Sequence, residues 1–210
     1  FKTIPQIIGS VDEESQKSCL KFMKKISKDI IILQPQEAEF TKLFLNSYRY
    51  IEFSIANQFY TIADSMGLDY KKIDKAMRYK YARGKNIPSP GFTAGPCLFK
   101  DTMQLCSFAQ NNFSLGMSAM NINEGIVNYI VNKIKSENKI KNQTIGILGM
   151  SFKAEIDDTR SSLSYKLKKL LMVNAKKVIT SDPYVKNDKQ IKKLDYTINN
   201  SDILIIATPH

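Results

Sequence analysis

The strongest constraint on the fold is a continuous helical pattern across residues 37–66. Apolar residues cover most of the circumference of this predicted helix of about 30 residues, which is typical of a helix at the centre of a domain or at an interface. These apolar positions include Leu43, Tyr48, Ile55 and Ile62. A compact chain of this kind must therefore be organised around one long helix.

The same helix carries one polar face, formed by residues at steps of three and four. Asn46 and Asn57 are poor helix formers with no local reason for their positions, so we interpret this face as part of a site. A solvated face is the alternative. The positions on the face are Glu39, Lys42, Asn46, Arg49, Phe53 and Asn57.

Both ends of the chain have an α/β pattern. The first predicts a strand at 5–9, a helix at 13–26 capped by Ser10 or Asp12, and a strand at 29–33 apolar enough to be buried on both faces. Beyond a polar linker at 138–142, strands are predicted at 144–150, 177–181 and 203–207, a helix at 163–173, and a short strand at 193–197. The alternation predicts a parallel, doubly wound sheet, although no complete G-x-G-x-x-G turn occurs.

Between these ends the pattern is helical, at 69–77, 100–110 and 114–137. The fold class is therefore α/β with a helical centre. The chain lacks an initiator Met and ends on an apolar strand, so we expect it to be an excerpt of a longer protein.

Composition limits the partners that this chain can have. The net charge is +11 and the pI is about 9.4. The densest lysines come as isolated pairs, however, and the sequence has no nucleic-acid-binding motif, so we expect that nucleic acid is not a partner. Three cysteines form no disulfide framework, which indicates a reducing, cytoplasmic setting. A single histidine, His210, argues against a His-ligated metal, and no apolar run approaches a membrane span.

The residues most suggestive of chemistry lie in the stretch 91–101, where a Gly- and Pro-rich loop leads into a helix. Cys97 lies at this entry, where free backbone N–H groups and the helix dipole favour a thiolate. Lys100 and Asp101 follow within the first turn. The alternative is a buried structural cysteine, the commonest situation for a free thiol.

Three motifs together resemble the UDP-glucose/GDP-mannose dehydrogenase family. The sequence G-P-C-L-F-K-D at 95–101 resembles the family's active-site motif G-x-C-(F/L)-x-K-D. The sequence at 39–46 resembles its central-helix motif E-x-x-K-x-x-x-N, and G-M-S-F-K at 149–153 followed by D-T-R at 158–160 resembles its carboxyl-domain signature. The motifs occur in the family's order.

The resemblance implies oxidation of the C6 hydroxymethyl of a UDP-sugar to a carboxylate with two NAD. It implies that Cys97 is the nucleophile, that Lys42 and Asn46 stabilise the oxyanion, and that Asp101 positions or activates water. It assigns NAD contacts to Lys100 and Arg160 and sugar-nucleotide contacts to Phe92, Lys153, Arg49 and Arg83. Coordinates should therefore bring the face with Lys42 and Asn46 to Cys97.

The resemblance also implies the organisation of the chain. Residues 1–33 would be the tail of an amino-terminal Rossmann domain, 34–137 the central all-helical dimerisation domain, and 138–210 an incomplete Rossmann-like carboxyl-terminal sugar-nucleotide domain. A homodimer would form through the long helix. Without a G-x-G-x-x-G turn, we expect this chain alone to lack dehydrogenase activity.

The sugar stays open at this point. Arg49, and the sequence at 83–87, look more like the UDP-N-acetylhexosamine members, whereas C-x-x-K-D at 97–101 looks more like the UDP-glucose branch. Two other classes also remain: a non-catalytic helical dimerisation module with a nucleotide-binding part, and a hydroxyacid or 6-phosphogluconate-type dehydrogenase that uses a lysine–asparagine pair without a cysteine.

Overall fold

The computed structural model describes residues 4–92, 95–110 and 112–210. Residues 93–94, which belong to the predicted loop before Cys97, lie outside the described residues. In order, the elements are β1 (Gln6–Gly9), α1 (Glu13–Met23), β2 (Ile30–Leu33), α2 (Pro35–Ser65), α3 (Tyr70–Arg78), α4 (Pro96–Phe108), α5 (Ser114–Glu137), β3 (Thr144–Leu148), α6 (Leu163–Asn174), β4 (Lys177–Ser181), α7 (Leu194–Asn199) and β5 (Ile203–Ile206).

The first strand–helix–strand unit forms as predicted, with β1 and β2 parallel. Asp12, one of the two expected caps, accepts a hydrogen bond from the Ser15 N–H, and α1 ends at Met23 rather than at residue 26. The expectation that the second strand is buried on both faces is wrong for the described chain. Ile31 and Ile32 point to opposite faces of the two-stranded sheet and are each 47% exposed, so neither face is covered at these positions.

The helices α2 to α5 form the helical part of the chain, and the long helix α2 is at its centre. Pro35 starts it at a position where no N–H is needed, and the backbone N–H of Gln34 donates to the Glu37 carboxylate at 2.9 Å. Its buried side chains pack against α4 and α5. The apolar residues of α2 that remain exposed are Phe44, Leu45, Tyr48, Ile55, Phe59 and Ile62.

The helix predicted to start at Lys100 begins four residues earlier. Pro96 takes the first helical position, where its missing N–H costs no hydrogen bond, and Cys97 is the second residue of α4. The prediction that Cys97 lies where a loop enters a helix is therefore confirmed. Helix α5 has the predicted bounds.

The carboxyl-terminal part is a three-stranded parallel sheet in the order β4-β3-β5. The central strand β3 is buried because Ile145 and Ile147 pack in one core with α6 and with Ile126 and Val127 of α5. This shared core joins the sheet to the helical part, so both form one packed body around α5. The parallel α/β topology expected from the sequence is confirmed.

The short strand predicted at 193–197 is wrong, because the segment is the helix α7. Thr197 is buried and donates its hydroxyl to the Lys193 carbonyl one turn earlier, as does its backbone N–H at 3.1 Å. Only Lys192, beside it, makes an isolated parallel bridge to Ser181. None of the helices in the described ranges is long and apolar enough to cross a membrane.

Candidate active site

A cavity of about 540 Å³ lies between the helical part and the carboxyl-terminal sheet. Three elements meet there: the polar face of α2, the start of α4, and the segment after β3. The predicted site residues in its lining are Asn46, Arg49, Phe92, Cys97, Lys153 and Arg160, and they are joined by Phe53, Gly95, Pro96, Leu98 and Phe152. The structure thus brings three separate stretches of sequence to one cavity.

Cys97 is exposed, unlike the buried cysteine of the alternative interpretation. The conformation before it requires glycine, since Gly95 has φ +106°, and a Cβ there would lie 2.8 Å from the ring of Phe152. The ring of Phe152 therefore packs directly on the backbone that starts α4. The carboxyl-terminal part therefore contacts the backbone two residues before Cys97.

Asp101 is the anchor for the polar face of α2. One of its carboxylate oxygens accepts hydrogen bonds from the Lys42 amine at 2.7 Å and from the Asn46 amide at 2.6 Å. The Lys100 amine lies 3.8 Å from the other oxygen. The side chain of Asp101 is 1% exposed, whereas that of Lys42 is 63% exposed. Lys42, Asn46 and Lys100 thus surround Asp101 beneath the surface, and of these residues Asn46 reaches the cavity lined by Cys97.

The charges at this site hold Asp101 ionised. Burial raises its pKa, but the hydrogen bonds from Lys42 and Asn46 and the nearby lysine charges lower the pKa by more, so it lies below the ordinary value. In return, the hydrogen bond to Asp101 raises the pKa of Lys42, with smaller contributions from the charges of Asp101 and Cys97. Both groups are therefore charged at neutral pH.

Arg160 and Lys153 bring positive charge from the sheet side of the cavity. The guanidinium of Arg160 binds Asp158, with its Nη2 at 2.7 Å from a carboxylate oxygen, and this hydrogen bond raises the pKa of Arg160. Within the described ranges Lys153 has no acidic partner within ion-pair distance, and its exposed amine is free to contact a ligand.

Four of the predicted site residues do not line this cavity. Arg83 lies in the short 3-10 turn Ala82–Gly84, exposed, and is not among the residues that line this cavity. Lys42 and Lys100 lie beside Asp101, and all three are also outside the lining. Glu39 is exposed at the start of the polar face. Glu39, Arg83 and Lys100 gain no support from the geometry of the cavity, whereas Lys42 and Asp101 are joined to its lining residue Asn46.

The sequence interpretation missed two buried polar residues that hold the loops of the site. Asn57 was assigned to the polar face, yet it is fully buried and accepts the Gly91 N–H at 2.8 Å. Asp182, at the end of β4, accepts the N–H groups of Met150 and Ser151 at 2.6 and 3.0 Å, just before Phe152. An asparagine inside a helix, and an aspartate between a strand and a proline, were the available signals.

The architecture defines a class: an α/β chain whose exposed cysteine, at a helix start, faces a cationic cavity between a helical part and a parallel sheet. Comparison with family models then gives the family. Residues 36–125 match the UDP-glucose/GDP-mannose dehydrogenase family, central domain, and residues 146–210 match that family's UDP binding domain. The chain belongs to the UDP-glucose/GDP-mannose dehydrogenase family.

Individual relatives agree with this assignment. The chain is 30% identical to a UDP-N-acetyl-D-mannosamine dehydrogenase of Pyrococcus horikoshii, over 98% of this chain and 50% of that protein. A solved structure of UDP-D-ManNAc dehydrogenase from the same organism matches with a TM-score of 0.87 and 28% identity, covering 100% of this chain and 51% of the other.

A more distant structure shows the same fold. The UDP-glucose dehydrogenase of Pyrobaculum islandicum matches with a TM-score of 0.85 at 23% identity, covering 99% of this chain and 51% of that one. The chain thus spans about half the length of the relatives that it matches.

Proposed function

We propose that this chain is the cysteine-bearing part of an NAD-dependent dehydrogenase that oxidises the C6 hydroxymethyl of a UDP-sugar to the uronate. The observation that carries the proposal is the joint cavity, where exposed Cys97 lies with Asn46 of α2 and with Lys153 and Arg160 of the sheet side. The family to which the chain belongs supports an oxidoreductase acting on a nucleotide-sugar.

Cys97 is proposed as the nucleophile. Its thiolate adds to the C6 aldehyde, forming a C–S bond and a thiohemiacetal whose hydroxyl proton leaves as C6 is oxidised to a thioester. Water then adds to the thioester carbon, the C–S bond breaks, and the carboxylate leaves with the thiolate regenerated. From alcohol to carboxylate, two hydrides and three protons are released for each water consumed.

Lys42 and Asn46 are proposed to stabilise the oxygen of C6 as it gains negative charge. A fixed ammonium and an amide N–H are suitable donors, and their shared bond to Asp101 fixes both in advance. Asp101 was predicted to position or activate water. Because it is buried, ionised and already hydrogen-bonded, we now propose that it acts chiefly by positioning Lys42 and Asn46.

The substrate is proposed to enter with its diphosphate near the cations of the cavity. Lys153 and Arg49 line it without an acidic partner in the described part of the chain, and Phe92 offers an aromatic wall. Arg83 lies outside this lining, and its proposed contact with the sugar nucleotide is supported by the family resemblance alone. The relatives' names favour a UDP-N-acetylhexosamine, with UDP-glucose as the alternative.

NAD fits the residues present only through isolated contacts. Lys100 and Arg160 are exposed cations near Cys97 that suit phosphate or ribose oxygens, but the sequence has no G-x-G-x-x-G turn to surround a pyrophosphate with N–H groups. When bound, NAD accepts the hydrides that leave C6. We therefore propose that residues 1–210 alone do not oxidise a UDP-sugar.

The domain organisation is proposed as 1–33, 34–137 and 138–210, with a homodimer formed through α2. The support is the row of exposed apolar residues on that helix, such as Leu45, Ile55 and Ile62, because water-exposed apolar stripes of this length mark contact surfaces. Light scattering at micromolar concentration tests the dimer. Single monomers throughout that range would contradict it.

The function is tested in the full-length protein with a panel of UDP-sugars. We expect two NADH per uronate formed, with a UDP-N-acetylhexosamine preferred. One NADH per turnover with a ketone product would instead support a hydroxyacid or 6-phosphogluconate-type enzyme. No turnover of any UDP-sugar, with UDP still bound, would support the non-catalytic module. The exposure of Cys97 beside Asn46 favours thiol chemistry over both.

A further inference from the structure

Two asparagine side chains in the helical core connect the loop before Cys97 to both long helices. Asn57 on α2 accepts a hydrogen bond from the Gly91 N–H at 2.8 Å and donates to the Asn123 side-chain oxygen on α5 at 2.9 Å. Asn123 in turn donates to the Tyr50 carbonyl at 2.9 Å. Both asparagines are 0% exposed. We call Gly91, Asn57, Asn123 and Tyr50 the amide relay.

The two ends of the amide relay fix its direction. The Gly91 N–H can only donate and the Tyr50 carbonyl can only accept, so each asparagine amide has a single orientation that satisfies its neighbours. Burying two amides is unfavourable unless they are bonded, and an apolar pair could fill the same space between helices. Packing of α2 on α5 therefore does not account for these amides. The hydrogen bond that Asn57 accepts from the Gly91 N–H does account for them.

The captured N–H belongs to the wall of the candidate active site. Gly91 precedes Phe92, which lines the cavity with Cys97 and also a neighbouring cavity of about 480 Å³ that contains Gly91, Phe152 and Lys153. No other side-chain hydrogen bond to the backbone of residues 88–92 occurs among the described residues. Asn57 is thus the side chain that ties this wall to the helical core.

We propose that Asn57, supported by Asn123, is a positioning residue that sets the substrate cavity by holding the loop at Gly91 and Phe92. The identity of the ligand, a UDP-sugar, rests on the function proposed above, whereas the hold on the loop does not. Among the described residues, the side chain of Asn57 makes no hydrogen bond to Cys97 or to the residues bonded to Asp101. Its effect is therefore on substrate binding more than on the chemical step.

The first test replaces Asn57 with alanine in the full-length protein. Asn57→Ala leaves the Gly91 N–H and the Asn123 oxygen without partners, so we expect the KM for the UDP-sugar to rise about tenfold while kcat changes less than threefold. The matched control is Ser54→Ala, one turn earlier on α2, because Ser54 is buried and bonds only its own helix. An equal rise of KM in both variants would overturn the proposal.

The second variant gives a signature that loss of stability alone does not produce. In Asn57→Asp, a protonated carboxyl can accept from Gly91 and donate to Asn123, but a carboxylate cannot donate. Burial raises the pKa of such a carboxyl, so UDP-sugar affinity should match the parent at low pH and fall about tenfold per pH unit above that pKa.

Two ionisable side chains beside the amide relay are Tyr50 and Glu124. Burial raises the pKa of the Tyr50 hydroxyl far above its ordinary value, and Glu124, next to Asn123, is paired with Lys166 at 3.2 Å. A KM for Asn57→Asp that has the same pH dependence as the parent would contradict the proposal. This variant also decides the matter if Asn57→Ala does not fold.

A measurement without turnover separates this proposal from the proposed function. Hydrogen exchange of the Gly91 amide, in peptides covering residues 88–92, should be at least about tenfold faster in Asn57→Ala than in the parent and unchanged in Ser54→Ala. Unchanged exchange in Asn57→Ala would refute the relay. If the parent oxidises no UDP-sugar, the proposed function fails, and the exchange result still decides the relay.

Discussion

The helical part and the carboxyl-terminal sheet each bring one loop to the same cavity, and they hold it in different ways. On the helical side a neutral amide, Asn57, accepts one N–H from the loop at Gly91. On the sheet side a buried carboxylate, Asp182, accepts the N–H groups of Met150 and Ser151 before Phe152. The loop at Gly91 is therefore anchored by a neutral side chain, and the segment that precedes Phe152 is anchored by a charged side chain.

The carboxylate has more partners than the amide. The Oδ1 atom of Asp182 accepts the N–H groups of Tyr184 and Val185 at 2.8 and 2.9 Å. The ring nitrogen Nε2 of His210 lies 3.1 Å from the Oδ2 atom, which accepts from Met150 and Ser151. Burial raises the pKa of Asp182, but the four backbone hydrogen bonds lower the pKa by more. The contribution of Asp182 to the free energy of unfolding therefore depends on pH, whereas that of Asn57 does not.

The two parts also divide the proposed work. The helical part supplies the thiol of Cys97 and the donors held by Asp101, and the sheet part supplies Lys153 and Arg160 at the opposite wall. Substitutions at the helical-side residues Cys97 and Asp101 should therefore lower the rate of the chemical step. Those on the sheet side should weaken substrate binding or acid stability.

The largest effect is expected for Cys97→Ser in the full-length protein. Formation of the uronate should fall about a thousandfold or more, because a hydroxyl is a poor nucleophile here, while UDP-sugar affinity should change little. Rate assays and calorimetric titration of the UDP-sugar measure the two quantities. Cys19→Ser, on α1, is the control. A normal rate of acid formation in Cys97→Ser excludes the thioester route.

A smaller loss is expected for Asp101→Asn. Without the carboxylate, Lys42 loses its ion pair and Asn46 a charged acceptor, so kcat should fall about a hundredfold with a smaller change in KM. Asp74→Asn, which removes an ion pair with Arg78 on α3, is the matched control. If both variants lose activity equally, the anchoring role of Asp101 is wrong.

Asp182→Asn tests whether the carboxylate charge of Asp182 stabilises the segment at Met150 and Ser151. At neutral pH it should lower the free energy of unfolding by about 1–3 kcal/mol, because an amide group cannot accept at both positions. The lowered pKa of Asp182 means that its stabilisation is present above about pH 4 and is lost as the pH falls through the folded-state pKa. The difference from the parent should therefore narrow below about pH 4.

Denaturant unfolding between pH 3 and 7 measures this difference. Asp188→Asn is the control, since Asp188 is in the same part of the chain and accepts the Tyr165 hydroxyl at 2.9 Å. If the difference in the free energy of unfolding between Asp182→Asn and the parent stays constant with pH, the charge of Asp182 contributes nothing to stability. The contrast between Asp182 and Asn57 as anchors would then disappear.

The smallest effect is expected for Lys153→Ala. Loss of one cation from the cavity wall should raise the KM for the UDP-sugar about tenfold and leave kcat nearly unchanged, with a weaker effect at high salt. Steady-state kinetics at two ionic strengths measure this, with exposed Lys186→Ala as control. A fall in kcat rather than a rise in KM would place Lys153 with the chemistry and break the division between the two parts.

The sequence by itself determined the elements and most of the site. Apolar periodicity gave α2 and α5 because both helices bury long apolar stripes, and alternating strands gave the parallel sheet. The Gly- and Pro-rich loop followed by a helical pattern predicted that Cys97 lies at a helix entry, and the spacing of Lys42 and Asn46 predicted that both lie on one face. These are local properties, so they can be predicted without knowing what packs where.

Only the tertiary structure decided which partners the polar residues have. The segment at 193–197 became a helix because burial of Thr197 against the sheet outweighs its weak strand pattern. Asn57 and Asp101 are buried, not solvated, because partners more than 30 residues away in the chain satisfy their hydrogen bonds. Such pairings depend on how helices and loops meet in space, and periodicity along the chain carries no information about that.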